Sequence, residues 1–340
     1  MSRLVCFGEL MLRLNPPGYQ RFVQTESFLA SYAGGEANVA VAVACLGLEA
    51  ALVTKLPDNE IGQSAVNSLR RYGVDTSRIL RGGERIGIYF VEKGASQRAS
   101  KVIYDRKDSA VSLADPSEYD WDAIFSGASW FHFTGITPAL SDRAAAACLD
   151  ACKAAKRMGL TVSCDLNYRA KLWSREKAGA VMSGLMPYVD LCIANEEDAA
   201  DVFSIRPANT SVKEGKLSRE GYEQVARELA ARFGCKKVAI TLRKSVSASD
   251  NDWAGMLYDG KTCAFSKTYP IRIVDRVGGG DSFGGGLIYA LLSGMETQEA
   301  IEFAVAASCL KQTIENDFSL ISVSEVKKLA GGDGSGRVQR

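Results

Sequence analysis

The chain of 340 residues contains a single histidine, His132, in the apolar run Trp130-Phe131-His132-Phe133. One imidazole excludes a histidine-rich metal centre, and its setting reads as a strand residue near a site, not a catalyst. Net charge is almost absent, with 41 Lys and Arg against 40 Asp and Glu. No basic or acidic excess therefore favours nucleic acid or an anionic membrane as partner. No apolar run reaches the roughly 18 residues that a membrane helix needs. Met1-Ser2-Arg3 runs straight into Leu4-Val5-Cys6-Phe7-Gly8, which reads as a buried strand and not a signal peptide. The nine cysteines are odd in number and scattered through apolar stretches, as at Cys6, Cys45, Cys164, Cys192 and Cys309. That is the pattern of reduced core thiols and implies a cytoplasmic protein. Cys148 and Cys152 lie four apart on an expected helix, but no further Cys or His stands at metal-ligand spacing. Internal repeats, low-complexity blocks and the P-loop pattern G-x-x-x-x-G-K-[ST] are also missing.

What remains is the composition of an ordinary globular chain, 46% hydrophobic and 24% charged, long enough for one large α/β domain or two smaller ones. Apolar strands are expected at residues 4–8, 51–54, 129–134, 161–165, 191–194 and 237–242, with shorter ones near 254–258 and 262–266. Helical spacing marks residues 61–72, 142–158, 174–187, 219–233, 282–293 and 297–312. Strands alternating with helices of this length imply a mostly parallel sheet covered on both faces, a three-layer αβα fold. Residues 86–92 and 101–104 alternate around Lys93-Gly94-Ala95-Ser96 and read as a β-hairpin. Residues 204–218 read as a polar surface excursion, and 331–340 as a flexible tail on a domain spanning 1–330.

The chemistry concentrates near the C-terminal end. Ile271, Ile273 and Val274 lead into Asp275-Arg276-Val277-Gly278-Gly279-Gly280-Asp281, and an apolar helical segment follows. Strand, glycine turn and helix start together offer converging N–H groups and the positive end of a dipole, a place for a phosphate. Asp281 has two readings here. It is a helix N-cap, or it is a carboxylate that takes a proton from a hydroxyl attacking a phosphate. A second glycine pair, Gly34-Gly35, opens a helix so rich in small residues that it must be buried. The other expected strand ends carry Glu9, Asp165-Leu166-Asn167-Tyr168-Arg169, Asn195-Glu196-Glu197-Asp198 and Thr241-Leu242-Arg243. In doubly wound sheets, ligands gather at those ends.

These residues resemble the ribokinase-like, or PfkB, family of carbohydrate kinases over about residues 3–330. The family's D-T-x-G-A-G-D signature corresponds to Asp275-Arg276-Val277-Gly278-Gly279-Gly280-Asp281. Its Gly-Gly-then-Asn helix start corresponds to Gly34-Gly35-Glu36-Ala37-Asn38, and its N-x-x-E element to Asn195-Glu196-Glu197-Asp198. Within the family the 2-keto-3-deoxygluconate kinases are most similar, through Phe7-Gly8-Glu9-Leu10-Met11, Arg85-Ile86-Gly87-Ile88-Tyr89-Phe90 and Asp165-Leu166-Asn167-Tyr168-Arg169. The resemblance implies ATP-dependent phosphorylation of a sugar-acid hydroxyl. Asp281 would be the general base, with Gly278, Gly279 and Gly280 as the anion hole. Gly34, Gly35, Asn38, Tyr89, Tyr104, Arg106 and Arg169 would contact the substrate. Asn167, Asn195, Thr241, Arg243, Gly278 and Gly280 would border ATP. Asn195 and Asp198 would reach Mg²⁺ through water. A monovalent cation such as K⁺ beside the Asp275 turn is a further expectation. Residues 10–34 and 85–108 would build a β lid over the sugar, whose free edge and apolar face would support a homo-oligomer.

The sequence departs from the family pattern at Gly279 (usually Ala), Asp198 (Glu), Arg276 (Thr) and Glu9, where many sugar kinases carry Asp. A sugar acid needs an arginine for its carboxylate, which suits Arg106 and Arg169. Their other readings are a surface ion pair with Asp105 or Asp108 and a loop cap, while Tyr89 and Tyr104 also read as cross-strand partners. Rival functions are a kinase of the same fold for another sugar such as fructose and a non-catalytic sugar- or nucleotide-binding protein. A dinucleotide-dependent oxidoreductase is excluded, because G-x-G-x-x-G from Gly278 would need glycine where Phe283 stands.

Overall fold

The computed structural model of the protein describes residues 3–195, 197–206 and 219–336. In chain order the strands are β1 (Arg3–Phe7), β2 (Met11–Asn15), β3 (Leu29–Ala33), β4 (Glu49–Val53), β5 (Lys55–Leu56), β6 (Leu80–Arg81), β7 (Ile88–Glu92) and β8 (Lys101–Asp105). They continue as β9 (Trp130–Thr134), β10 (Thr161–Asp165), β11 (Leu191–Ala194), β12 (Lys237–Ser245), β13 (Asp250–Tyr258), β14 (Cys263–Phe265) and β15 (Tyr269–Arg272). Among the described residues the main sheet runs β14-β13-β12-β11-β10-β9-β1-β4, with β15 pairing the first half of β13 on the same edge as β14. The run from β12 to β4 is parallel, and β13, β14 and β15 close one end antiparallel. Parallel strands under helices on both faces cannot alternate polar and apolar residues. Leu4, Val5, Cys6 and Phe7 of β1 are accordingly all buried.

The helix Gly35–Cys45 shows why the small residues of its sequence are required. It has no polar stripe, and it packs between the sheet and the helix Gly279–Leu292. A Cβ on Gly285 would stand 2.8 Å from the Cβ of Ala42, so only glycine permits this approach. The two glycine-led helices therefore start side by side.

A smaller sheet, ordered β3-β2-β7-β8, lies apart from the main one. Register puts Arg13, Tyr89 and Tyr104 on one face and Leu14, Phe90 and Ile103 on the other. Met11, Ala33, Tyr89 and Val91 form a small core under the first face, with Val277 of the glycine turn packed against it.

Several expected boundaries move. The strand near 254–258 is the end of the nine-residue β13, because its polar first half pairs with β12 and β15. β3 and the helix Val323–Ala330 carry no clear pattern in the sequence; β3 does not alternate polar with apolar residues and buries only Ala33, and the helix buries little beyond Val326. Most consequential, the helix expected at 282–293 begins at Gly279. Residues 207–218 of the expected surface excursion and 337–340 of the expected tail lie outside the described residues. No helix among the described residues is long and apolar enough to cross a membrane.

Candidate active site

A cleft of about 540 Å³ opens at the carboxyl ends of the parallel strands, beneath the small sheet. It gathers Glu9, Gly34, Gly35, Asn38, Tyr89, Tyr104, Arg106, Asn167, Arg169, Asn195, Asp198, Thr241, Arg243, the three glycines 278–280 and Asp281. Every site residue expected from the sequence therefore lines one space.

The N-cap of the helix is Gly278, with φ 82°, and Asp281 is the third residue of the first turn. This corrects the cap reading. A left-handed residue is needed where the strand reverses into the helix, and glycine takes it. With the cap already filled, the Asp281 carboxylate turns to Asn38, whose Nδ2 donates to Oδ2 at 2.6 Å. Asn38 is itself held by the other helix start, where its Oδ1 accepts from Gly34 N–H at 3.4 Å. Surrounding protein atoms raise the Asp281 pKa to about 6; the Asn38 hydrogen bond opposes this, Asp317 and Glu36 push further up, and Arg169 pulls down. Gly279 N–H donates to Arg276 O and Ser282 N–H to Gly278 O. The N–H groups of Gly280 and Asp281 find no main-chain acceptor among the described residues outside the helix.

The turn rests on buried charge. Arg13, wholly buried on β2, donates Nη2 to Asp275 Oδ2 at 2.6 Å and Nη1 to Asp317 Oδ1. Tyr89 OH donates to Asp317 Oδ2 at 2.9 Å. Lys311, equally buried, donates Nζ to the main-chain oxygens of Asp275 at 3.1 Å and Val277 at 2.5 Å. Gly278 fits closely above this group, since a Cβ there would meet Asp317 O at 2.2 Å.

Two further carboxylates face the cleft. Asp198, read from sequence in a run of acids, is buried. Its Oδ1 accepts from Tyr168 N–H and its Oδ2 from Asn195 N–H, both at 3.0 Å. Burial raises its pKa. Asp165 ends β10 and is raised well above the usual range, first by burial and then by the charges of Asp198 and Asp281. Among the described residues no three His, Cys, Asp or Glu side chains cluster as direct metal ligands. The paired acids suit a hard cation held partly through water, which would relieve that excess negative charge.

The arginines have different roles from one another. Arg106 is buried and gives Nε and Nη2 to Glu9 Oε2, with its guanidinium 5.4 Å from the Tyr104 ring centre. The surface pair with Asp105 or Asp108 is thus replaced by a buried one, and Arg85 takes Asp105. Arg169 is exposed, donates to its neighbour's carbonyl at 3.1 Å and has no ion pair among the described residues. Tyr89 and Tyr104 are cross-strand partners and stack at 6.0 Å, and both also line the cleft. Thr241 and Arg243 line the cleft together with Asn251, Trp253 and Arg276. His132 is buried beneath the sheet surface, its Nδ1 2.8 Å from Ser163 Oγ, and burial takes its pKa down to about 3.

Arg13, Glu36, Asp317 and Lys311 stand in no motif that marks them as site residues in the sequence. Two signals were present: Arg13 occupies an inward position of an apolar strand, and Lys311 ends the buried stripe of the helix Thr297–Lys311. Glu36 is buried at the start of the helix Gly35–Cys45 and accepts from Thr134 N–H and the hydroxyls of Thr134 and Thr137.

Comparison with known proteins adds to this geometry. The pfkB family carbohydrate kinase profile matches residues 1–316. The chain is 34% identical to the 2-dehydro-3-deoxygalactonokinase of Haloferax volcanii, over 98% of each chain. It is 30% identical to the 2-dehydro-3-deoxygluconokinase of Thermoproteus tenax, over 93% of this chain and 90% of the other. The crystal structure of a 2-dehydro-3-deoxygluconokinase from Thermotoga maritima superposes with a TM-score of 0.94 at 51% identity, covering 97% of this chain and 98% of that one.

Proposed function

We propose that this chain, which belongs to the pfkB family of carbohydrate kinases, phosphorylates 2-keto-3-deoxygluconate at its C6 hydroxyl using ATP. The observation that carries the reading is Asp281, a carboxylate of raised pKa on a glycine-led helix start, in one cleft with the unpaired guanidinium of Arg169. The names of the similar proteins supply the substrate class.

Asp281 accepts the proton of the C6 hydroxyl as that oxygen forms its bond to the γ-phosphorus and the bond from that phosphorus to the β-phosphate bridging oxygen breaks. Asn38 fixes the carboxylate so that one oxygen stays free for the substrate. The N–H groups of Gly278 and Gly280 in the turn, with the helix start, stabilise charge on the transferring group, while Gly279, whose N–H is held by Arg276 O, keeps the turn closed. Arg169 binds the sugar-acid carboxylate, and Arg106, held by Glu9, positions hydroxyls. Thr241, Arg243, Asn167 and Asn195 border the nucleotide. Members of the family use Mg²⁺ with ATP; when bound it neutralises phosphate charge, and Asn195, Asp198 and Asp165 would hold it through water. The small sheet acts as a lid that excludes water during transfer. A second copy of the chain covers its outer apolar face. The unpaired cysteines, most of them buried, fit the reducing cytoplasm.

The test is ADP release with a panel of sugars with and without a carboxylate, including fructose and the C4 epimer 2-keto-3-deoxygalactonate. Preference for 2-keto-3-deoxygluconate, with Arg169→Ala raising its KM about tenfold or more and leaving KM for ATP near wild type, is the expected outcome. Equal turnover of neutral sugars, or an unmoved sugar-acid KM in the variant, refutes the carboxylate contact; no ADP release with any sugar refutes the kinase.

A further inference from the structure

The sequence resemblance brings in a K⁺ ion beside the Asp275 turn, and the residues present do not fit one. A bound K⁺ needs a shell of oxygen donors, and among the described residues the two carboxylates and the two carbonyls that this turn offers are engaged. Asp275 Oδ1 accepts from Val277 N–H at 3.1 Å. Asp275 Oδ2 accepts from Arg13 at 2.6 Å and from Asn316 N–H at 3.2 Å. Asp317 gives one oxygen to Arg13 and the other to Tyr89 OH. The main-chain oxygens of Asp275 and Val277 are taken by Lys311 Nζ. Charge is also balanced, with Arg13 and Lys311 against Asp275 and Asp317. A third cation in this buried space would face two already there.

We propose that Lys311 is a positioning residue whose ammonium does the work of a monovalent cation, so that the enzyme is independent of K⁺. The mechanism lies in peptide geometry. In a trans peptide the C=O and the following N–H point in opposite directions. Val277 O drawn down to Lys311 turns Gly278 N–H up toward the cleft, and Asp275 O does the same for Arg276 N–H. The ammonium also lays positive charge beneath the turn that cradles the anion. A lysine is confined there only because its four-carbon stem enters from the buried face of the helix Thr297–Lys311. Burial lowers its pKa, and the carboxylates of Asp275 and Asp317 oppose that shift.

The inference rests on the turn being the anion cradle of a kinase, and the experiment separates the two. Steady-state rates and thermal unfolding of the full chain are measured in KCl and in tetramethylammonium chloride at one ionic strength. Wild type is expected to phosphorylate at rates within about two-fold, and to unfold at the same temperature, in either salt. Activity in both salts establishes the kinase, whatever becomes of Lys311. Lys311→Ala empties the space and exposes the two carbonyls. In tetramethylammonium it is expected to lose kcat by about tenfold or more with KM for sugar little changed, and K⁺ restores much of kcat and raises the unfolding temperature. Lys311→Met fills the space without charge and is expected to be impaired in both salts. Strong activation of wild type by K⁺, or full kcat for Lys311→Ala in both salts, overturns the proposal. Should Lys311→Ala fail to fold in either salt, the wild-type comparison still decides, and Lys311→Arg, expected to fold and to stay insensitive to K⁺, supplies the variant arm.

Discussion

Asp281 shows how much one turn of helix changes the reading of a residue. At the cap position its carboxylate would be spent on the N–H groups behind it. Three residues further in, with Gly278 as the cap, it is free to take Asn38 on one oxygen and the cleft on the other. Asp281→Asn keeps that contact and removes the base, so kcat is expected to fall about 10² to 10⁴-fold with substrate and nucleotide binding retained, as isothermal titration would show. In wild type the carboxylate must be ionised to accept a proton. The rate should therefore rise with pH and level off above about 6. Stability carries the opposite sign. A carboxyl with a raised folded-state pKa favours folding most at pH below its unfolded value, and that advantage is lost as pH rises through 6. Asp281→Asn should thus unfold at a higher temperature than wild type at pH 8, with the difference narrowing toward pH 4. A variant that is inactive and equally less stable at both pH values would mark Asp281 as merely structural. The motif made this residue legible. Arg13 and Lys311 were not, since their partners lie 262 to 304 and 34 to 36 residues away.

The glycine-led helix start is the element on which the site depends, and its three glycines are not equivalent. Gly278 sits at φ 82°, and an added Cβ would meet Asp317 O at 2.2 Å. Gly278→Ala combines a left-handed conformation costing roughly 1–2 kcal/mol with a main-chain clash. A lower unfolding temperature and a large loss of kcat are expected. Gly279 is an ordinary helical residue, and its Cβ would lie 3.2 Å from Gln312 Cγ, a contact that asks a side chain, and not the main chain, to give by a few tenths of an ångström. Gly279→Ala, which restores the family's usual residue, should keep most of kcat and leave unfolding little changed. Similar damage from both substitutions would contradict this account of the turn. The strand–turn–helix order was readable from the β-branched run and the glycines, but not which glycine caps, because that depends on how closely residue 317 approaches.

At the scale of the molecule the small sheet joins two roles. Its inner face brings Arg13 and Tyr89 down onto the turn, so the proposed lid motion would act on the contacts that hold the glycine turn. Its outer face carries Ile103, 53% exposed, with Phe28 beside it at 42%, and this is the face that the proposed second copy would cover. Light scattering is expected to give at least twice the chain mass, and Ile103→Asp to reduce it to one. A monomeric wild type removes the proposal that a second copy covers this face.

Local pattern was enough for the parallel sheet, the two glycine-led helices and the set of polar strand ends, because alternation, apolar runs and missing side chains act within a few residues of chain. The gathering of those ends into one cleft followed from the rule that such sheets bind at their carboxyl edge. What only the tertiary structure decided is how the charges pair: Arg106 with Glu9, Arg13 with Asp275 and Asp317, Lys311 with the carbonyls of the turn, and Arg169 left open to the cleft. Ion pairing is set by distance and burial between segments far apart in the chain, and a linear sequence holds no record of either until the backbone has folded.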